Sequence, residues 1–343
     1  SSAVTPVKAW QYDMCGHSGQ CVEKYCELTG YKECDLKRVE TPCIDDHQII
    51  ETDLTERGVL ARDCSRIVLK ILFLARIARP DLLWSVNTLA REVTKWTVAC
   101  DKRLYRLISY VHWTRFWTQT CFFGDRAEDC QLSMFADASF AGDLADSKST
   151  TGGYLCLTGP RTFVPISWLC KKQTAVSHSS TESEVISLDT CVRMEVLPCL
   201  QLWEQVIEVS LKHQGKNPES KEKSYAAIPQ MPITNEPQHR HQDDDVYRIL
   251  SNVDWVPPSL SSPKGLAKCI IFEDNEAVIK MCIKGRSPQM RHVGRTHRVD
   301  LDWLFERIRE DPGVFLRFVG TKDQIADLLT KGSFSAQTWK QLC

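Results

Sequence analysis

Four acidic residues occupy positions from which their side chains could meet: Asp137, Glu184, Asp274 and Asp327. Asp137 ends the strand-like run "QLSMFAD", and Asp274 follows the apolar run "CIIFE" at the end where α/β sheets place their crevice. Glu184 falls in the first turn of a long helical pattern, and Asp327 stands among apolar residues in "IADLL". Converging carboxylates repel one another unless cations neutralise them. Two Mg²⁺ ions about 4 Å apart would do so and would activate water for in-line attack on a phosphodiester, with Mn²⁺ as an alternative ion.

Three of these acids also have an ordinary structural interpretation. Asp137 could be a turn residue, because aspartate favours turns by bonding its own backbone. Asp274 and Asn275 could cap the helix that follows them, and Asp327 could face solvent. Each interpretation is reasonable alone, but the order of the four acids along the chain favours a shared site.

The helix offers two candidates for its acidic position. Glu184 could form a capping box with Thr181, and Glu182 is its rival for the metal-ligand position. The residue types alone leave the choice between Glu182 and Glu184 open.

The pattern of elements around these acids predicts an α/β fold. "QLSMFAD", "GGYLCLTG" and "FVPISWLC" are typical of short antiparallel strands, and a long helix that Pro198 should kink follows them. "AKCIIFED" and "VFLRFVG" predict two more strands, each followed by helices, and "DQIADLLTK" predicts a terminal helix ended by Gly332. This order indicates a mixed sheet with helices packed on it.

Composition limits the alternatives. With 343 residues the chain is long enough for about two domains, and its net charge of −1 means that any nucleic-acid contact must come from local patches. The 16 cysteines show no paired C-x-x-C spacing, so reduced thiols in an intracellular protein of the cytoplasm or nucleus are expected. Zinc bound by Cys15, His17, Cys21 and Cys26 is the alternative, but their spacing fits no common site. No apolar run approaches the ~18 residues of a membrane span, so no membrane contact is expected.

Residues 130–331 resemble the ribonuclease H domain of copia-type retrotransposon polyproteins. Six runs in order carry the resemblance: "FADASFAGD", "KSTTGGYLCL", "ISWLCKKQTAVSHSSTESEVISL", "IIFEDNEAVI", "GRTHRVDLDWLFERI" and "TKDQIADLLTK". Upstream, the helical run "ARIARPDLLWSVNTLAREVTKWTVACDKRLYRLISYVHWT" resembles the thumb-to-connection helices of the same polyproteins. "VEKYCELTGYKECDLKRVETPCIDD" is similar to the end of their reverse-transcriptase region.

The resemblance implies the domain plan and fold. Residues 1–62 would end a reverse-transcriptase region, residues 63–125 would be a mostly helical thumb or connection segment, and residues 130–343 would be ribonuclease H-like, a mixed sheet with flanking helices. The Pro-, Ser- and charge-rich residues 212–264 interrupt this plan and are predicted to be a disordered insertion.

The resemblance also implies a site and its partners. Asp137, Glu184, Asp274 and Asp327 fall on the four metal-binding acids of the family. Lys171, Lys172 and Gln173, in the loop before the helix, would contact phosphates of an RNA–DNA hybrid, and the Ser149 and Thr150 hydroxyls would suit backbone or 2′-OH contacts. The rest of a reverse transcriptase is a further expected partner.

The implied function is magnesium-dependent hydrolysis of the RNA strand in RNA–DNA hybrids. The alternative is a non-catalytic relic that binds nucleic acid or acts as a scaffold. The presence of all four acids favours the enzyme, whereas several departures from the family leave the alternative open. The chain has no Y-V-D-D-like motif, Ser139 replaces an aspartate in a way compatible with a D-x-S pattern, and Arg298 stands where histidine is common. The loop "VGTKDQIAD" also lacks the histidine that some ribonucleases H use, and the insertion is foreign to the pattern.

Overall fold

A seven-stranded sheet with helices on both faces forms the centre of the molecule. The computed structural model describes residues 6–142, 146–216 and 263–343, so residues 217–262, most of the predicted insertion, lie outside the described residues. The sheet order is β1-β2-β5-β4-β3-β6-β7. The strands are β1 Lys8–Tyr12, β2 Gln119–Phe123, β3 Gln131–Ser139, β4 Thr150–Gly159, β5 Thr162–Lys172, β6 Cys269–Glu273 and β7 Val314–Phe318.

Both strand directions occur in this sheet. β3, β4 and β5 form the predicted antiparallel meander, whereas β6 pairs parallel to β3 and β7 pairs parallel to β6. The prediction of an α/β protein with a mixed sheet is therefore confirmed. β3 lies between β4 and β6. The residues near its carboxyl end are therefore flanked by a strand on each side and do not lie at an edge of the sheet.

The α-helices of the described residues lie before, between and after the strands. They are α1 Cys15–Thr29, α2 Glu51–Thr55, α3 Cys64–Ile77, α4 Leu83–Arg91, α5 Val98–Trp113, α6 Ser180–Cys191, α7 Leu197–His213, α8 Glu276–Lys284, α9 Val293–Thr296, α10 Leu301–Glu310 and α11 Ala336–Leu342. The helices predicted over residues 63–118 are confirmed as α3, α4 and α5. Gly30 ends α1 in the left-handed conformation, with φ 76°.

Strand β4 is buried on both faces. Its successive side chains point to opposite sides of the strand, and each side packs into a different hydrophobic cluster. Tyr154 and Cys156 belong to the hydrophobic cluster that contains α1, α3, α4 and α5. Leu155 and Leu157 belong to the opposite cluster, which contains α6, α7, α8 and α10. The sheet is thus the middle of three layers.

The long predicted helix is divided where proline was expected to interrupt it. α6 passes into a π-helical turn over Val192–Val196, and α7 begins at Leu197 with Pro198 in its first turn. Proline fits a first turn because its missing N–H has no intrahelical partner there.

The prediction of a terminal α-helix over "DQIADLLTK" is wrong. Ile325–Leu329 is a 3₁₀ helix, and the chain ends in α11, which the sequence did not indicate. The physical reason is anchoring at both ends: Gln324 Nε2 donates to Ala136 O at 2.9 Å, and Thr330 Oγ1 donates to the Asp137 carboxylate. A tighter helix spans the short distance between these two anchors on β3.

The sheet also crosses the predicted domain limits. β1 pairs with β2, and β2 pairs with β5 at Phe122 and Phe163, so residues from all three predicted regions share one sheet. The apolar cluster around α3 and α5 likewise includes Leu329 and Trp339 from the end of the chain.

Candidate metal centre

Asp137 lies inside β3, paired with Gly152 of β4, and its side chain is buried. It is therefore part of the sheet rather than a turn residue. Helix α6 packs across this part of β3, where Ser187 Oγ donates to Asp137 O at 2.7 Å. This contact fixes α6 over the strand that carries the acid.

Glu184 projects from α6 toward Asp137. The backbone N–H of Ala138 donates to its carboxylate, while the second oxygen, Oε2, is buried without a hydrogen-bond partner. The capping-box interpretation of Glu184 is wrong, because Ser179 is the N-cap and accepts from Glu182 N at 3.1 Å.

Asp274 follows β6 directly, beside β3. Asn275, and not Asp274, caps α8, accepting from Ala277 N at 3.0 Å. The Asp274 carboxylate therefore does not cap the helix and is available to bind a ligand in the crevice. It is also the most exposed of the three acids, so it marks the open side of the site.

The structure brings Asp137, Glu184 and Asp274 together, with one carboxylate oxygen of each within 4.8 Å of the others. Within the described parts of the chain, this is the one group of three or more acidic, histidine or cysteine side chains close enough to hold a metal ion. Oxygen ligands suit Mg²⁺, and the unpartnered Glu184 oxygen is a buried acceptor that a cation would satisfy. The donor set therefore fits a divalent cation.

Asp327 lies beside this group but has a cationic partner of its own. It is buried, so the solvent-facing interpretation is wrong. Lys331 Nζ lies 2.5 Å from Asp327 Oδ1 and 3.7 Å from Asp137 Oδ2. The carboxyls of Asp137 and Asp327 also share a hydrogen bond.

Burial and mutual repulsion raise the pKa values of these acids. Burial, followed by the Asp137 carboxylate, raises the pKa of Glu184 to about 10 and that of Asp327 to about 7. Burial also raises the pKa of Asp137. Burial lowers the pKa of Lys331, but the neighbouring Asp137 and Asp327 carboxylates outweigh it and the net shift is upward. The site without metal therefore holds protons at neutral pH that a bound cation would replace.

Glu273 is a fifth acid that the sequence reasoning missed. Its side chain is fully buried, Oε1 accepts from Asn275 N at 3.2 Å, and Oε2 has no hydrogen-bond partner. Burial raises the pKa of Glu273 well above its usual value, and Asp274 and Asp137 add to the shift. Its place at the end of the apolar run "CIIFE", directly before Asp274, was the signal that could have revealed it.

Glu182, the rival on α6, faces away from the carboxylate group. Its two carboxylate oxygens lie 3.2 Å from His292 Nε2 and 3.1 Å from His297 Nε2, and one of them accepts from His178 N. Glu182 therefore ties the start of α6 to the segment before α10.

The predicted nucleic-acid contacts differ in exposure. Lys171 and Lys172 lie at the end of β5 and not in the following loop. Lys171 is exposed, and Lys172 pairs with Asp146 at 2.8 Å. These two lysines stay candidates for phosphate contact.

The other three predicted contacts point inward. Gln173 is buried, with Nε2 donating to Ser183 O at 2.9 Å and to Thr151 Oγ1 at 3.2 Å. Ser149 and Thr150 are also buried, and Ser149 Oγ accepts from Ala141 N. Gln173 and Ser149 therefore use polar groups in internal hydrogen bonds, and contact of these three residues with nucleic acid stays a prediction.

An exposed basic segment contacts the start of α6 through Glu182 and was not anticipated. The chain has no acidic residue between Glu276 and Asp300. Lys280 pairs with Glu276, and the exposed basic side chains that follow it are Lys284, Arg286, Arg291, Arg295 and Arg298. Arg291 and Arg298 line a surface pocket of about 590 Å³, and Arg298 adopts φ 57° at the turn into α10. The charge run itself was the signal that could have revealed this segment.

The chain is similar to parts of retrotransposon Pol polyproteins and to a secreted effector protein. It is 34% identical over 138 residues to the retrovirus-related Pol polyprotein from transposon RE1 of Arabidopsis thaliana, a match that covers 40% of this chain and 8% of that protein. The Pol polyprotein from transposon TNT 1-94 of Nicotiana tabacum is 28% identical over 183 residues, which are 48% of this chain and 12% of that protein. Secreted RxLR effector protein 161 of Plasmopara viticola is 32% identical over 126 residues, 37% of this chain and 84% of that protein.

The chain is thus similar to parts of retrotransposon Pol polyproteins, at about 30% identity over less than half of its length. It spans only a small part of the Pol polyproteins named above. No protein-family model and no solved structure matches it. Among the residues that the structure describes, no helix is long and apolar enough to cross a membrane.

Proposed function

We propose that this part of a Pol polyprotein is a ribonuclease H-like endonuclease that hydrolyses the RNA strand of RNA–DNA hybrids with Mg²⁺. The observation that carries the proposal is the convergence of Asp137, Glu184 and Asp274, from β3, α6 and the end of β6, within 4.8 Å. The mixed sheet with helices on both faces agrees with such a fold.

The chemistry needs each acid in a defined place. Magnesium, when bound, would act as a Lewis acid and would lower the pKa of a coordinated water. Asp137 and Glu184 are held rigidly by β3 and α6, while the more exposed Asp274 stands at the open side, where a phosphate would enter. Thr330 orients the Asp137 carboxylate from the neighbouring 3₁₀ segment.

The substrate is proposed from charge near the site. Lys171 is exposed at the end of β5, and the basic segment of residues 284–298 meets α6 through Glu182. Positive side chains at these two places suit a phosphate backbone, although the net charge of the chain is −1.

The test is cleavage of a labelled RNA–DNA hybrid by the purified 343-residue chain with and without Mg²⁺. We expect magnesium-dependent cuts in the RNA strand, no cuts in the DNA strand, and little cleavage of single-stranded RNA. Asp274→Asn keeps the side-chain shape but removes a metal-binding charge, so it should lose nearly all cleavage while circular dichroism stays unchanged.

A non-catalytic relic gives the opposite result. In that case neither protein cuts the hybrid, and millimolar Mg²⁺ raises the melting temperature of neither. Hybrid binding without cleavage or magnesium stabilisation would then identify the chain as a nucleic-acid-binding remnant.

A further inference from the structure

Lys331 places a positive charge inside the carboxylate site itself. Its ammonium lies 2.5 Å from Asp327 Oδ1 and 3.7 Å from Asp137 Oδ2. Asp137 is thus shared between two cation positions. On one side it meets Glu184 and Asp274, and on the other it meets Asp327 and the lysine.

The ammonium stands between the two acids that a second divalent ion would need. Asp327 is absent from the group whose oxygens approach within 4.8 Å, and its near cation is Lys331. Lysine carries a compact point charge on a flexible stem, so it can occupy an ion position and can also leave it.

We propose that Lys331 is a resident cation that competes with the second divalent ion for the position between Asp137 and Asp327. This inference rests on the proposed function, since it assumes that Asp137, Glu184 and Asp274 bind Mg²⁺. The protein then has one strong magnesium position and a second that opens only when the ammonium moves away.

Lys331→Met is the direct test, because methionine is unbranched and apolar and removes the charge. Lys331→Arg keeps the charge and shows whether charge or packing matters. Lys102→Met is a matched control: Lys102 lies 2.5 Å from Asp53, with side-chain exposures of 39% and 8%, against 37% and 9% for Lys331 and Asp327. Its ion pair belongs to α2 and α5.

Magnesium titration by calorimetry is the measurement, with thermal unfolding in EDTA to confirm that each variant is folded. We expect one Mg²⁺ per chain for the wild type, Lys331→Arg and Lys102→Met, and two for Lys331→Met. The affinity of the second position should rise at least about tenfold when the nearby positive charge is removed.

Two titration results would overturn the inference. Two equally strong ions in the wild type would contradict it, as would a Lys331→Met titration identical to that of the wild type. If the wild type and Lys331→Met bind magnesium identically, the inference is wrong but the proposed function stands. If neither protein binds magnesium, both the inference and the proposed function are contradicted. If Lys331→Met alone fails to fold, two strong ions bound by Lys331→Arg would contradict the inference.

Discussion

At the scale of single residues, two glutamates on α6 have separate surroundings. Glu184 faces Asp137 and Asp274, whereas Glu182 contacts His292 and His297. We expect Glu184→Gln to lower hybrid cleavage about 100-fold or more, the scale of losing one charge-stabilising group at a reacting centre. Glu182→Gln is the matched control and should cost about tenfold, as for a group that supports a site from behind. Single-turnover cleavage rates would decide, and a larger loss for Glu182→Gln would reverse the assignment.

The raised pKa values predict how stability without metal depends on pH. Asp327 titrates at about 7 and Glu184 at about 10 when folded, against ordinary values of 3.8 and 4.5, so the folded chain holds protons that the unfolded chain releases. The free energy of unfolding in EDTA should therefore fall as pH rises, first through about 7 and then toward 10. Urea denaturation between about pH 5 and pH 9 measures it. A stability that rises over this range would contradict the buried, protonated site, and saturating Mg²⁺ should flatten the curve because it displaces the protons.

Much of the carboxylate site could be predicted from residue types and order. Asp137, Glu184 and Asp274 were predicted from patterns that a single sequence carries: a strand-like run, a helix turn and a buried strand. Lys331 was missed although it stands four residues after Asp327, because a lysine in a predicted terminal helix gave no reason to point inward. Glu273 was missed because only Asp274, which follows it directly, was considered at the end of this strand.

At the scale of elements, Gly152 makes room for the 3₁₀ segment that carries Asp327. A Cβ on Gly152 would overlap the Thr330 methyl group and lie 3.0 Å from Ala326 O. Gly152→Ala should therefore displace this segment, lower stability by about 1–3 kcal/mol and weaken magnesium binding. Gly19→Ala is the control, since nothing lies within 4 Å of its Cβ position inside α1. It should stabilise slightly because alanine favours helix, and denaturation with magnesium titration measures both variants. Unchanged magnesium affinity in Gly152→Ala would show that the segment tolerates the shift.

Element prediction succeeded where local signals were strong and failed where distant contacts decide the conformation. β3, β4 and β5 are bounded by glycine, proline and serine, so their existence followed from the sequence. Strand β1 is exposed along its whole length and pairs with β2, more than a hundred residues away. No alternation of apolar and polar residues can reveal such a pairing.

At the scale of the whole molecule, α11 joins the end of the chain to the N-terminal helices. Trp339 is buried, and its Nε1 donates to the Tyr110 hydroxyl at 2.9 Å. Trp339→Ala should lower the free energy of unfolding by about 3–5 kcal/mol, the usual cost of emptying a tryptophan site. Trp10→Ala, on exposed β1, should change it much less. Chemical denaturation measures both, and equal losses would mean that α11 does not stabilise the fold.

The residues of the carboxylate site are also synthesised at different times. Thr330, which orients Asp137, lies 193 residues further along the chain. At about 5–20 residues per second, a ribosome reaches it roughly 10–40 s after Asp137. A nascent or prematurely ended chain therefore carries β3 and α6 without Asp327, Thr330 or Lys331. Synthesis alone delays completion of the site until Lys331 has been translated.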